Sequence, residues 1–196
     1  MFAQIIKGKA SDEAGLRKQN QKWVEELKPG SSGFLGSTGG IATDGTFVTI
    51  ARFESEEAAR KNSDRPEQGE WWKETEQYLE PGSTFVDSTE VDEFLGGGSN
   101  DAGFVQVMQG SVSDKEKAKE MGQQMEPMLR ENRPDVLGGM VVWHPGGSEF
   151  TQVMYFKSEA EARERESASD NSGPPEEFGK LFSNMTYIDL KEPELI

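Results

Sequence analysis

The chain states one motif twice. Phe2-Ala3-Gln4-Ile5-Ile6-Lys7-Gly8 reappears as Phe104-Val105-Gln106-Val107-Met108-Gln109-Gly110, and Ser11-Asp12 returns as Ser113-Asp114. The register continues through Leu35-Gly36 against Leu137-Gly138 and Phe85-Val86-Asp87 against Tyr187-Ile188-Asp189. Small length changes place Phe53-Glu54-Ser55 on Phe156-Lys157-Ser158, and Arg60 on Arg163. A duplication limits the fold more than composition does: 196 residues become two units of about ninety residues each. The first spans 1–94, the second 104–196, and the Gly-rich stretch 95–103 reads as a flexible tether. A unit so small buries a modest share of its surface, so the two are expected to share one buried interface.

Each unit opens with a strand that is apolar on both sides. Phe2 and Ile6 alternate with Ala3 and Ile5, and Phe104 and Met108 with Val105 and Val107. A sheet wet on one face would alternate apolar with polar, so this strand is expected to be covered on both faces. Ser11 and Ser113 read as helix N-caps, the second with Glu116 as a capping box. The helices that follow carry Leu16, Trp23 and Leu27, or Ala118, Met125 and Leu129, on one stripe. Two hairpins follow, turning at Thr43-Asp44-Gly45 and Pro145-Gly146-Gly147. Ser55 and Ser158 cap a second helix. A third begins at Pro66 in one copy and Pro174-Pro175 in the other, before last strands at Thr84–Ser88 and Thr186–Leu190. The order is βαββαβ twice, with an extra short helix before each last strand: an α+β, ferredoxin-like plan. Packed sheet to sheet, two such units would form an intramolecular, pseudo-dimeric barrel and cover the two-sided strands.

This duplicated order resembles the dimeric α+β barrel superfamily, which includes antibiotic-biosynthesis monooxygenases, EthD-like proteins and stress-responsive barrel proteins. The resemblance covers the whole chain but rests on element order and duplication, without a compact motif. It implies a pocket in each half between sheet and helices. Some members oxidise electron-rich polyketide phenols without metal or flavin, and others bind haem. Since duplication replaces the usual dimer, a monomeric pseudo-dimer or a weak homodimer is expected.

Composition excludes several chemistries. The net charge of −15, with bases interleaved among acids, opposes a nucleic-acid partner and an anionic membrane surface. With no cysteine, thiolate catalysis, thiolate metal sites and disulfides are ruled out. A single histidine makes a zinc site untenable, and no metal is expected. The start of the chain lacks a basic-then-apolar leader and no apolar run could span a bilayer, so a cytoplasmic location is expected.

Candidate site residues come from comparing the copies, because positions that agree read as scaffold. Gln4 and Gln106 are expected to satisfy neighbouring polar groups, Asp87 and Asp189 to end the last strand, and Arg60 and Arg163 to pair with acids on their own helix. Positions that diverge are where an activity would reside. Trp72 aligns with Gly179, Arg52 with Tyr155, and Trp23 with Met125. Trp72, Asn62, Arg52 and Trp23 could orient a planar phenol in an apolar pocket, and Trp71, aligned with Phe178, reads as core. Tyr155 would line the second pocket. His144, at a strand end in Trp143-His144-Pro145, is either packed against its turn or a general base or haem ligand. Three readings follow: a small-molecule-binding barrel with a small aromatic ligand and no cofactor; a cofactor-independent monooxygenase on an aromatic or polyketide-like substrate; and a haem-binding barrel ligated by His144.

Overall fold

The computed structural model describes residues 1–168 and 176–196; the helix start expected at Pro174-Pro175 lies outside the described residues. In chain order the elements are β1 (Phe2–Lys9), α1 (Glu13–Lys22), β2 (Phe34–Ile41), β3 (Thr46–Phe53), α2 (Glu56–Ser63), α3 (Pro66–Thr75), β4 (Thr84–Ser88) and β5 (Val91–Phe94). The second half contains β6 (Phe104–Val112), α4 (Lys115–Asn132), β7 (Val136–Trp143), β8 (Glu149–Phe156), α5 (Glu159–Ala168), α6 (Glu176–Gly179), β9 (Phe182–Leu190) and β10 (Glu194–Leu195). Among the described residues these make two five-stranded sheets, ordered β10-β2-β3-β1-β4 and β5-β7-β8-β6-β9. Every pairing is antiparallel. The α+β plan and the doubled βαββαβ order are therefore present.

By their internal contacts the residues divide into two compact units, Met1–Glu90 with Glu194–Ile196, and Val91–Pro193. The reason is edge pairing. A bare β2 or β7 edge would expose a row of unpaired N–H and C=O groups. β10, which follows the second repeat in sequence, pairs with β2, and β5, which follows the first, pairs with β7. The Gly-rich stretch is also less of a tether than its composition implies. The Leu95 N–H donates to Glu126 of α4 at 3.1 Å, and a Cβ on Gly138 would lie 2.1 Å from the Gly97 carbonyl oxygen.

Local chemistry explains the element ends. Asp12 and Asp114, one residue beyond the expected serines, cap α1 and α4 by accepting from the Gly15 and Lys117 N–H groups at 3.0 Å. A carboxylate there also meets the positive end of the helix dipole. The Ser113 hydroxyl instead donates to the Leu181 carbonyl at 3.2 Å, so the capping box with Glu116 does not form. Ser55 and Ser158 do cap, accepting from Ala58 and Glu161 at 3.1 and 3.2 Å. Pro66 opens α3. α1 runs on into a π-helical turn at Trp23–Leu27, whereas α4 stays α-helical for 18 residues despite Pro127.

The inner strands are buried on both faces, as their pattern implied: Phe2 and Phe104 on one side, Ala3, Ile5, Val105 and Val107 on the other. Phe104 packs on Phe156 with ring centroids 5.6 Å apart, and truncating such a ring costs about 3–5 kcal/mol. The recurrent glutamines meet the recurrent aspartates across the strands. Gln4 donates to Asp87 and Gln106 to Asp189, each at 2.9 Å, and Arg163 also bonds Asp189. Arg60 pairs with Glu56 within α2 at 2.5 Å.

Two glycines provide a test of opposite sign. Gly138→Ala should destabilise by about 2 kcal/mol, because its neighbour is a backbone carbonyl that cannot rotate away. Gly122→Ala in α4 meets nothing within 4 Å and should stabilise by about 0.5–1 kcal/mol through helix propensity. Urea denaturation of the two variants measures both.

Candidate functional site

On the helix-facing side of its sheet, the first unit encloses a cavity of about 100 Å³. Its floor is Gln4 and Ile6 of β1, Thr49 and Ala51 of β3, and Gly39 of β2. Its walls come from α1 (Leu16, Asn20), the turn after it (Trp23), α2 (Ala59, Asn62) and α3 (Trp71, Trp72, Thr75). Glu194 of β10 completes the rim. A wider depression of about 800 Å³ runs past Glu56, Arg60, Asp64 and Pro66. It is open and largely charged, so it reads as surface relief rather than an enclosure.

Aromatic rings form a chain along the cavity. Phe53 meets Phe34 at 5.5 Å, Phe34 meets Trp23 edge-on at 4.9 Å, and Trp23 meets Trp71 at 6.5 Å. Trp71 then meets Trp72 at 6.1 Å, and Trp72 meets Phe85, half exposed on β4, at 5.3 Å. Hydrogen bonds fix two of the indoles: Trp23 donates to the Gln68 side chain at 2.9 Å and Trp71 to the Gln19 carbonyl at 2.8 Å. Each satisfied indole N–H leaves its ring face to pack apolar matter.

Two polar groups stand out in this wall. Asn62 is buried, and Arg65 donates to its Oδ1 at 2.9 Å while also donating to the Leu27 carbonyl at 3.1 Å. With the amide oxygen occupied, Nδ2 is the donor that Asn62 offers the cavity. Glu194 accepts from Arg17 at 3.2 Å and from the Asn20 amide. Burial pushes its carboxyl pKa up, against the lowering effect of Arg17 and Asn20. The rim therefore holds a carboxylate whose proton affinity is raised and whose position is fixed from two sides.

The structure brings Trp72, Asn62 and Trp23 together on this cavity and adds Trp71, which sequence alignment had assigned to core. Arg52 is elsewhere. It alternates with the cavity-facing Ala51 and Phe53 and lies on the opposite face of β3. Tyr155, its counterpart in the second unit, is likewise on the other face of β8 and is buried. His144 follows β7 in the second unit, with Nε2 2.9 Å from Thr151 Oγ1 and Nδ1 3.8 Å from Glu149. Burial pushes its pKa down, and Glu149 opposes that shift. Among the described residues no group of three or more His, Asp or Glu could hold a metal ion, and no helix is long and apolar enough to cross a membrane.

Equivalent positions of the second unit carry larger side chains. The pairing registers put Met154 where Ala51 stands, Gln152 where Thr49 stands, and Val141 where Gly39 stands. Met154 packs on Phe104, Val136 and Phe156, and Val141 on the cluster around Trp143 and Phe150. Among the described residues, the first unit is thus hollow at this surface where the second carries larger side chains. Glu194 is the site residue that sequence reasoning missed. It sits in a two-residue strand with no periodicity, and its only signal was pairing that becomes visible in three dimensions.

No sequence-family model matches the chain, and no curated protein matches it in sequence. Solved structures do match its fold. A protein of Fusobacterium nucleatum subsp. nucleatum, described as a candidate monooxygenase, superposes with a TM-score of 0.76 at 10% identity, covering 99% of this chain and 93% of its own. A protein of Lactobacillus acidophilus NCFM with the same description gives 0.73 at 11%, covering 100% and 99%. An anthrone oxidase-like protein gives 0.67 at 9%, covering 99% and 92%. At such identities the likeness is one of architecture: this chain has the tandem ferredoxin-like, pseudo-dimeric α+β fold of these proteins, along its full length.

Proposed function

We propose that the first unit binds a small aromatic molecule in the cavity between its sheet and helices. The observation that carries this reading is the aromatic-walled cavity itself, at a surface where the first unit has Ala51, Thr49 and Gly39 and the second has the larger Met154, Gln152 and Val141. The cavity volume of about 100 Å³ is nearer the roughly 150 Å³ that accepts benzene than the 300–1,000 Å³ of drug-sized sites. It therefore seats one ring, and any larger ligand leaves the rest of itself at the mouth beside Trp72 and Phe85. A cytoplasmic setting belongs to the same reading.

A second reading is oxidation of such a ring by O2, without a cofactor. It is supported by the descriptions of the proteins that share the fold, two of them candidate monooxygenases and one anthrone oxidase-like. In that chemistry a ring CH2 becomes C=O, one O2 is consumed and one water is released. The protein's part would be to hold the ring, to donate to its oxygen from Asn62, and to keep water out. We read His144 as packed on its turn rather than as a haem ligand, a reading supported by the 2.9 Å contact of Nε2 with Thr151 and by the absence of His144 from the cavity lining.

Phenol titration followed by tryptophan fluorescence tests the binding reading, since Trp23, Trp71 and Trp72 line the cavity. Ala51→Met, which copies the second unit, should weaken phenol binding at least about tenfold with the fold intact; unchanged quenching would move the site elsewhere. For the oxidation reading, an oxygen electrode with anthrone should record uptake that Trp72→Ala abolishes, and no uptake by the native chain would remove it. His144 should titrate below the usual imidazole range in NMR, and hemin should give no new Soret band. Its stabilising contribution is present above the usual imidazole pKa and is lost as pH falls through the depressed one.

A further inference from the structure

We infer that Glu194 sets the ligand specificity of the cavity, selecting an aromatic ring that carries a hydroxyl donor, a phenol, over the same ring without one. The inference rests on the binding reading above and names its ligand class.

The duplication supplies the argument. By strand register Glu194 opposes Gly39, and in the other sheet Asp92 opposes Val141, the equivalent of Gly39. The two acids hold corresponding places. Each pairs with a base one and a half turns into the first helix of its unit, Arg17 with Glu194 at 3.2 Å and Lys119 with Asp92 at 3.4 Å. That much is inherited scaffold.

The copies part at the next partner. Asp92 accepts the Trp143 indole N–H at 2.7 Å, and Trp143 itself packs with Phe150 and Ala118. The residue equivalent to Trp143 is Ile41, which has no donor to give. Glu194 receives the Asn20 amide instead, where the second helix has Gly122. Arg17 on one carboxylate oxygen and Asn20 on the other hold Glu194, which lines the cavity, and use two of the roughly four acceptor positions of a carboxylate. An ionised carboxylate accepts and cannot donate, so it favours a ligand O–H and repels a ligand carboxylate.

Phenol and anisole distinguish the outcomes, because they present the same ring with and without the donor. In fluorescence titrations the native chain should bind phenol at least about tenfold more tightly than anisole, the scale of one charge-assisted hydrogen bond. Glu194→Gln should shrink that ratio severalfold, and Glu194→Met, which removes both acceptors, should bring it close to one. Far-ultraviolet circular dichroism of both variants reports that the fold is kept. A phenol-to-anisole ratio unchanged by both substitutions overturns the inference and leaves the binding reading standing, as does equal binding of the two probes by the native chain. Binding of neither probe by the native chain overturns both.

Discussion

The backbone hydrogen bonds at the outer edge of each sheet organise the rest of the molecule. A βαββαβ unit leaves its second strand with one unpaired side, and in a sheet buried on both faces that edge cannot be left to water. Here β10 supplies the partner for β2 and β5 the partner for β7. Ser37 and Ile196 extend the first pairing by exchanging backbone bonds of 2.9 and 3.0 Å. Because side chains alternate along a strand, fixing the backbone of β10 at Gly39 also decides where the Glu194 side chain goes. Gly39 matters on the facing side too, since an added Cβ there would lie 2.8 Å from the Thr49 hydroxyl oxygen. The edge pairing thus carries both the completeness of the sheet and the placement of the rim carboxylate.

Duplication within one chain also acts as an internal control. The bonds from Gln4 to Asp87 and from Gln106 to Asp189 have the same length, and the bases on the first helices find the acids on the added strands in both units. Interactions kept in both copies hold sheets to helices. What differs is volume and aromaticity on the helix-facing surface: Ala51 for Met154, Gly39 for Val141, Trp23 for Met125. The π-helical turn that starts at Trp23 belongs to the hollow copy alone among the described residues. Such turns re-aim the side chains around them and recur at functional sites.

Much of this architecture could be read from the residues because each signal was local. Two-sided apolar strands, Asp-Gly and Gly-Gly turns, and Pro66 at a helix start act within a few residues, and all are realised. The caps slipped by one position because Ser11-Asp12 and Ser113-Asp114 each offer two capping residues, and only geometry decides between them. The added strands were invisible for another reason. Glu194-Leu195 has no period to detect, and its partner lies far back in the sequence. Around the cavity, Trp72 and Trp23 stood out by divergence between copies, and Asn62 as a polar group able to orient a ring. The placement of Arg52 could not, because a single step along β3 moves a side chain to the other face. Trp71 looked like core because its counterpart is aromatic, yet an aromatic wall around a cavity has the same signature as an aromatic core.

An unfilled apolar cavity has an energetic consequence. Replacing a fully buried methionine by alanine costs about 2–5 kcal/mol, so even the half-buried Met154 marks a contrast that matters against the stability of an ordinary domain. The first unit carries alanine where the second carries Met154, and glycine where the second carries Val141, yet it keeps the inherited bonds that hold its sheet and helices in place. Three tryptophans and Phe34 close around the space without filling it. Departures from good packing are here concentrated at one surface, beside scaffold that is otherwise consistent, as the proposed binding role would require. A ligand that enters the space restores the missing contacts and stabilises the folded chain in proportion to its concentration over its Kd. If the first unit binds a ring as proposed, occupancy and stability are coupled through this cavity.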